Sequence, residues 1–164
     1  MSNPDDHVAH VMTAWARERP DLDVSPQAVI ARLHRLANRL TTELTAGYRE
    51  FDLGEGEFDV LATLRRTGAP FELTPTELAG STMVTSGAMT KRVDRLETRG
   101  LVSRRGSEAD GRGRVIALTP HGRELIDAAF TAHIANEHRL LAALSADEVA
   151  DAEHILTKWI AALD

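Results

Sequence analysis

Asp110-Gly111-Arg112-Gly113-Arg114 stands between two short runs of strand character, Leu101-Val102-Ser103-Arg104-Arg105 and Val115-Ile116-Ala117-Leu118. Glycines at the centre permit the tight reversal of a hairpin, which carries the two arginines outward on its tip. Just before it, Lys91, Arg92, Arg95 and Arg99 recur at helical spacing. A basic helix followed by a basic-tipped hairpin fits the grooves of a nucleic acid, and this is what separates the chain from an ordinary acidic helical protein.

The formal charge of −6 hides an uneven distribution. Residues 91–114 hold eight Lys and Arg (Lys91, Arg92, Arg95, Arg99, Arg104, Arg105, Arg112, Arg114) against four acids (Asp94, Glu97, Glu108, Asp110), a local +4 that leaves −10 elsewhere. A basic island in an acidic body concentrates polyanion attraction on one surface while the remainder repels non-specific contact. The competing reading is a solvated helix face with no partner, so the surrounding elements must decide.

Working outward, Thr74-Pro75-Thr76-Glu77 combines a threonine cap, proline at the first helical position and a glutamate three residues after the cap, which predicts a short helix. A second helix starts near Thr85 or Ser86 and runs to Arg99, with Gly100 available for a left-handed cap. Met89, Val93 and Leu96 form its buried stripe, leaving Ser86, Thr90, Lys91 and Arg95 toward the outer face. Two short helices joined by a tight turn make a helix-turn-helix unit. Upstream, Val8, Val11, Met12 and Trp15 predict an amphipathic helix closed by Pro20; Ser25-Pro26 opens a long one that ends near Tyr48; and a third spans about 57–66, after the Gly54/Gly56 break and before Gly68 and Pro70. Downstream, Thr119-Pro120 starts a helix striped by Ile126, Phe130, Ile134 and Leu141. Ser145-Ala146-Asp147-Glu148 caps a final one striped by Val149, Ala152, Leu156, Ile160 and Leu163.

The expected fold is mainly α with a small β-wing, a winged helix-turn-helix core flanked by long terminal helices. It forms one domain: 1–52 an N-terminal extension and first dimerisation helix, 53–119 the DNA-binding lobe, 120–164 C-terminal dimerisation helices. Gly68 to Leu73 is the longest apparent linker. The flanking helices carry more apolar stripe than a small module covers, so a two-fold homodimer is expected.

The 164 residues suffice for a core without metals or disulfides, and the absence of cysteine excludes a disulfide scaffold, a thiol sensor and a cysteine-ligated zinc site. No run approaches the roughly 18 apolar residues of a membrane span, and the N-terminus lacks a basic-then-apolar leader, so a cytoplasmic protein is expected. His7/His10 and His133/Glu137/His138 have helical spacing, but no HExxH motif accompanies them, and they read as surface histidines; no metal or cofactor is expected. Nucleophile elbow, phosphate loop and dinucleotide motif are all missing, so an enzyme is not expected.

The run Thr85-Ser86-Gly87-Ala88-Met89-Thr90-Lys91-Arg92-Val93-Asp94-Arg95-Leu96-Glu97-Thr98-Arg99-Gly100-Leu101-Val102, followed by Asp110 to Thr119, resembles the MarR family of winged helix-turn-helix regulators, and the helix order on both sides agrees. The resemblance implies a ligand-responsive homodimer on a pseudo-palindromic double-stranded DNA operator, more often a repressor than an activator. Physically, Thr85, Ser86 and Thr90 offer small hydroxyls at a helix N-terminus, where amides and dipole favour phosphate. Lys91 and Arg95 reach phosphates or guanine edges. Arg112, with Arg114, enters a minor groove, and Asp110 braces Arg112. The alternative reading of the same residues is a cap, solvated ion pairs with Asp94 or Glu97, and a plain hairpin turn in a helical dimeric scaffold protein without DNA binding.

Trp15, Asp59, Arg92 and Arg104, with the two arginines twelve residues apart and an N-terminal helical extension, resemble the urate-responsive subgroup of that family. The resemblance implies an effector, urate or another small anionic or phenolic molecule, that meets the tryptophan and both arginines, while the aspartate couples ligand charge to the recognition helix. The residues also permit a plainer reading: Trp15 as core, Asp59 as a carboxylate in a helix's first turn, Arg104 as a phosphate contact.

Overall fold

Both capping boxes legible in the sequence are realised in the computed structural model, which describes residues 6–82, 86–106 and 114–163. Thr74 accepts the Glu77 N–H at 3.3 Å while the Glu77 carboxylate takes the Thr74 N–H at 2.8 Å, and Ser145 and Glu148 repeat the exchange. Together these satisfy donors that a helix start otherwise leaves unpaired. The elements are α1 (His7–Glu18), α2 (Gln27–Arg49), α3 (Glu55–Arg66), β1 (Glu72–Leu73), α4 (Pro75–Ser81), α5 (Ser86–Thr98), β2 (Val102–Gly106), β3 (Arg114–Leu118), α6 (Pro120–Leu141) and α7 (Ala146–Ala161). This is the expected mainly α fold with a small β-wing.

The chain divides into two compact units, 1–43 and 44–164. In the first, Asp6 caps α1 by accepting the Val8 and Ala9 N–H groups and pairs with Arg32 of α2. Val8 is buried, whereas Val11 and Trp15 of the same stripe are exposed. The Ser25 hydroxyl donates to Asp23, so it does not cap α2 as the Ser-Pro pair suggests, and α2 begins at Gln27.

In the second unit, α3 lies at the centre, packed by α4, α5 and α6. Leu61 and Leu64 of α3, Leu78 of α4, Leu96 of α5 and Ile126 of α6 are completely shielded from solvent. The hairpin pairs Val102 with Leu118 through Gly106 with Arg114. A third strand was not foreseen: β1 lies in the stretch read as a linker and joins the other edge of β3, pairing Glu72 with Ala117 and Leu73 with Ile116. Arg105 of β2 reaches Glu72 of β1 across the sheet. Helix α3 starts two residues before the expected position, because the Glu57 carboxylate accepts the Gly54 N–H at 2.9 Å and so caps it.

The wing is joined to α6 by close backbone contact. The Thr119 hydroxyl donates to the Gly100 carbonyl at 2.7 Å and accepts the Gly122 N–H at 3.0 Å. Beyond this junction Phe130 and Leu141 of α6, and Ile155, Leu156 and Ile160 of α7, are exposed. Among the described residues no helix is long and apolar enough to cross a membrane.

Candidate nucleic-acid interface and effector pocket

Helix α5 has the two faces its sequence requires. Met89, Val93 and Leu96 are buried in the core, while Thr90, Lys91, Asp94 and Arg95 are exposed. Ser86 opens the helix, though its side chain lies outside the described residues, as do Thr85, Asp110 and Arg112. Arg114 is exposed at the start of β3. A groove of about 540 Å³ runs between α4, α5 and the wing, with Thr76, Thr90, Arg104 and Arg114 as its polar lining and Pro75, Met89 and Val115 among its apolar walls. Arg95 faces Glu57 of α3 at 3.9 Å, a long pair in which the carboxylate is largely buried while the guanidinium is exposed and available to an anion.

The acids of α5 are committed elsewhere than sequence spacing suggests. Asp94 and Glu97 both turn to Arg104 of β2: Arg104 Nη2 donates to Asp94 Oδ1 at 2.5 Å, Nη1 donates to Glu97 Oε2, and the Arg104 N–H donates to Glu97 Oε1 at 3.0 Å. Partial burial opposes the Arg104 charge, but the two carboxylates outweigh it and hold the guanidinium above its ordinary range.

A second pocket, of about 370 Å³, lies between α3, α5 and the ends of α2 and α4. Asp59 and Arg92 meet there, with Tyr48, Glu55, Gly56 and Arg66. Among the described residues, Arg92 Nη1 is buried without a hydrogen-bond partner. Its guanidinium lies against Gly56, where a Cβ would come within 2.1 Å of Nε. Tyr48 stacks on Phe58 with ring centroids 4.1 Å apart, and its hydroxyl lies 3.3 Å from His133 Nδ1. Burial, with the nearby charges of Glu55, Glu137 and Asp59, pushes the Tyr48 hydroxyl above its ordinary range and keeps it protonated. A guanidinium with one unpaired donor, set with Arg66 against Glu55 and Asp59 beside a neutral phenol and stacked rings, suits a planar ligand that carries an acceptor.

Asp59 and Arg92 of the effector quartet therefore share a pocket, and Arg104 does not line it. Arg104 is engaged by Asp94 and Glu97. Trp15 belongs to the N-terminal unit, where it is 47% exposed and so is not core. Asp59 is not in the first turn of α3, which Glu55 and Glu57 occupy, so the helix dipole does not account for it. Sequence reasoning missed Gly56, which read only as a helix breaker, and Tyr48, which read only as a helix end. Of the histidines weighed as ligands, His133 faces Tyr48 and Glu137 instead, and among the described residues no group of three His, Asp or Glu is placed to hold a metal.

Comparison with known proteins is consistent with this arrangement. A family profile described as the MarR family matches residues 51–113. The chain is 38% identical to the HTH-type transcriptional regulator PecS of Dickeya dadantii over 86% of this chain and 85% of that one. It is 31% identical to the multiple antibiotic resistance protein MarR of Escherichia coli, over 79% of this chain and 89% of that one. A crystal structure of a mutant E. coli MarR complexed with operator DNA superposes with a TM-score of 0.68 at 28% identity, covering 84% of this chain and 98% of that one. The MarR family regulator AbsC of Streptomyces coelicolor shares the fold, with a TM-score of 0.73 at 24% identity over 87% and 97% of the two chains.

Proposed function

Because the chain belongs to the MarR family of winged helix-turn-helix transcriptional regulators, we propose that it is a cytoplasmic homodimeric repressor that grips a pseudo-palindromic operator and is released by a small aromatic anion. The observation that carries the DNA reading is the division of α5. Its inner residues lock it to the lobe, and its outer residues Thr90, Lys91 and Arg95 present hydroxyl, ammonium and guanidinium groups beside a wing that carries Arg114. Thr85 and Ser86 at the start of the helix, and Asp110 and Arg112 in the wing, complete the proposed contact set. The related E. coli protein crystallised with operator DNA supports the same use of the lobe.

The dimer is inferred from apolar area. Phe130, Ile155, Ile160 and Leu163 are large side chains that a single chain leaves in water, and a second copy is the simplest cover for them. For the effector, the supporting observation is the unpartnered Arg92 Nη1 in the pocket that also holds Asp59. An anion there would satisfy a buried donor on the recognition helix itself. The resemblance to urate-responsive regulators adds Trp15 and Arg104 to that set and makes urate or a related purine the first compound to try. Release requires the ligand to bind the DNA-incompetent arrangement more tightly than the competent one.

The test is a promoter-DNA binding isotherm at several salt concentrations, followed by titration with urate. Affinity that falls steeply with salt is expected from phosphate neutralisation. Salt-independent or undetectable binding would favour the scaffold reading. Release by urate that Arg92→Ala abolishes supports the effector site, and persistence of the complex at millimolar urate removes urate while leaving the DNA reading intact.

A further inference from the structure

Two carboxylates on a DNA-facing helix work against binding, since each repels phosphate. Asp94 is nevertheless exposed alongside Lys91 and Arg95 and Glu97 is half-buried one turn further on, and among the described residues neither pairs with a basic residue of its own helix. Both converge on Arg104, which comes from β2 six residues beyond the end of α5. Glu97 grips that residue twice, with one carboxylate oxygen on the side chain and the other on the backbone N–H. The contact therefore fixes the position of the strand as well as that of a side chain. Arg104 in turn sits opposite Ile116 in the hairpin ladder, and Arg105 beside it is tied to Glu72 on the far strand.

We propose that Asp94, Glu97 and Arg104 form a staple that sets the angle of the wing against the recognition helix, and so determines which flanking base pairs the protein can read together with its major-groove site. These are positioning residues. A forked guanidinium bridging two carboxylates is directional in a way that a lone ammonium is not. The staple neutralises the acids that would otherwise repel DNA and uses them for geometry. The inference rests on the DNA-binding reading of the lobe, and its test involves no effector.

Charge and geometry predict opposite signs, which makes the test sharp. The full-length protein is used to select DNA from a random library. Its dissociation constant for the selected duplex and for a random duplex of equal length is then compared among wild type, Asp94→Asn, Asp94→Asn/Glu97→Gln and Arg104→Lys. Glutamine at position 97 retains an acceptor for the Arg104 N–H, so the strand stays docked, and circular dichroism checks folding. If the acids only repel phosphate, the double variant binds both duplexes more tightly. The staple predicts that it binds random DNA as well as or better than wild type but loses about tenfold on the selected duplex, the cost of one misread base pair. Arg104→Lys should lose selectivity in the same way despite its retained charge. Selection repeated with the double variant should preserve the inner half-site and lose preference at the flanks. Equal or tighter binding of the selected duplex by the double variant, or full selectivity in Arg104→Lys, overturns the staple. Failure of the wild type to enrich any sequence overturns the DNA-binding premise itself.

Discussion

The guanidinium of Arg92 lies on the backbone of Gly56, joining the recognition helix α5 to the first turn of α3 without a hydrogen bond at Nη1. The contact depends on the missing side chain. Ordinarily an alanine in place of a helical glycine stabilises by about 1 kcal/mol. At position 56 the methyl group would displace the guanidinium, the far end of a flexible side chain, so Gly56→Ala should gain less than that in the wild-type background. In an Arg92→Ala background the obstacle is gone, and the same change should stabilise by about 1 kcal/mol. Urea denaturation of the four proteins of this cycle checks the difference; equal gains in both backgrounds would mean that Arg92 moves aside freely.

Gly122 presents the opposite case, in which the neighbour cannot yield. A Cβ there would stand 1.9 Å from the Leu101 carbonyl oxygen, which is backbone held by the Thr119 N–H. Gly122→Ala should therefore cost about 3 kcal/mol despite its better helix propensity, by prising α6 from the wing junction. Thermal unfolding measures it. A melting temperature equal to that of wild type would show that the junction is looser than its hydrogen bonds suggest.

The capping boxes make a prediction about acid. The Glu77 carboxylate is held below its ordinary value of 4.5 by the Thr74 N–H and then the Thr74 hydroxyl, and Glu148 is held down in the same order by Ser145. A depressed carboxylate contributes stability that is fully present above the unfolded value and is lost as pH falls through the folded one. Stability should thus decline as the solution is acidified from pH 4.5 downward. Glu77→Gln/Glu148→Gln, which keeps an acceptor but has no charge to lose, should show a shallower decline over the same interval. Denaturant midpoints at successive pH values test this, and parallel curves for the two proteins would assign the acid sensitivity to other carboxylates.

These examples also show which parts of the molecule a sequence reveals. Thr74-Pro75-Thr76-Glu77 specifies its helix locally, because donor, acceptor and ring constraint all lie within four residues, and α4 starts where they place it. The stripe of Met89, Val93 and Leu96 is legible for the same reason: one helix face repeats at a known spacing. Strand β1 is not legible, since two residues carry no periodicity and Glu72 and Leu73 become a strand only through pairing with β3 more than forty positions away. The site divides along the same line. Family resemblance marks Arg92 and Asp59 as candidates, but only the fold shows that Gly56 seats the arginine and that Tyr48 completes the wall. Asp94 and Glu97 look like partners for Lys91 or Arg95 by helical spacing, yet tertiary structure gives both to Arg104.

The outer face of α5 makes the last prediction, in which Lys91 and Arg95 should separate by their behaviour toward salt and sequence. Both are exposed, and Arg95 is only loosely faced by Glu57. A lysine presents a point charge, suited to phosphate, whereas an arginine fork can also take the two acceptors of a guanine edge. If Lys91 touches phosphate, Lys91→Ala weakens selected and random DNA alike and lowers the slope of log affinity against log salt by about 1 per protomer. If Arg95 reads a base, Arg95→Ala costs about 1–3 kcal/mol on selected DNA, relaxes preference at one position in each half-site and changes binding to random DNA far less. Fluorescence anisotropy on the two duplexes across a salt series measures all of these quantities. Identical profiles for the two variants would leave both side chains on the phosphate backbone and move sequence reading to Thr90 and the start of the helix.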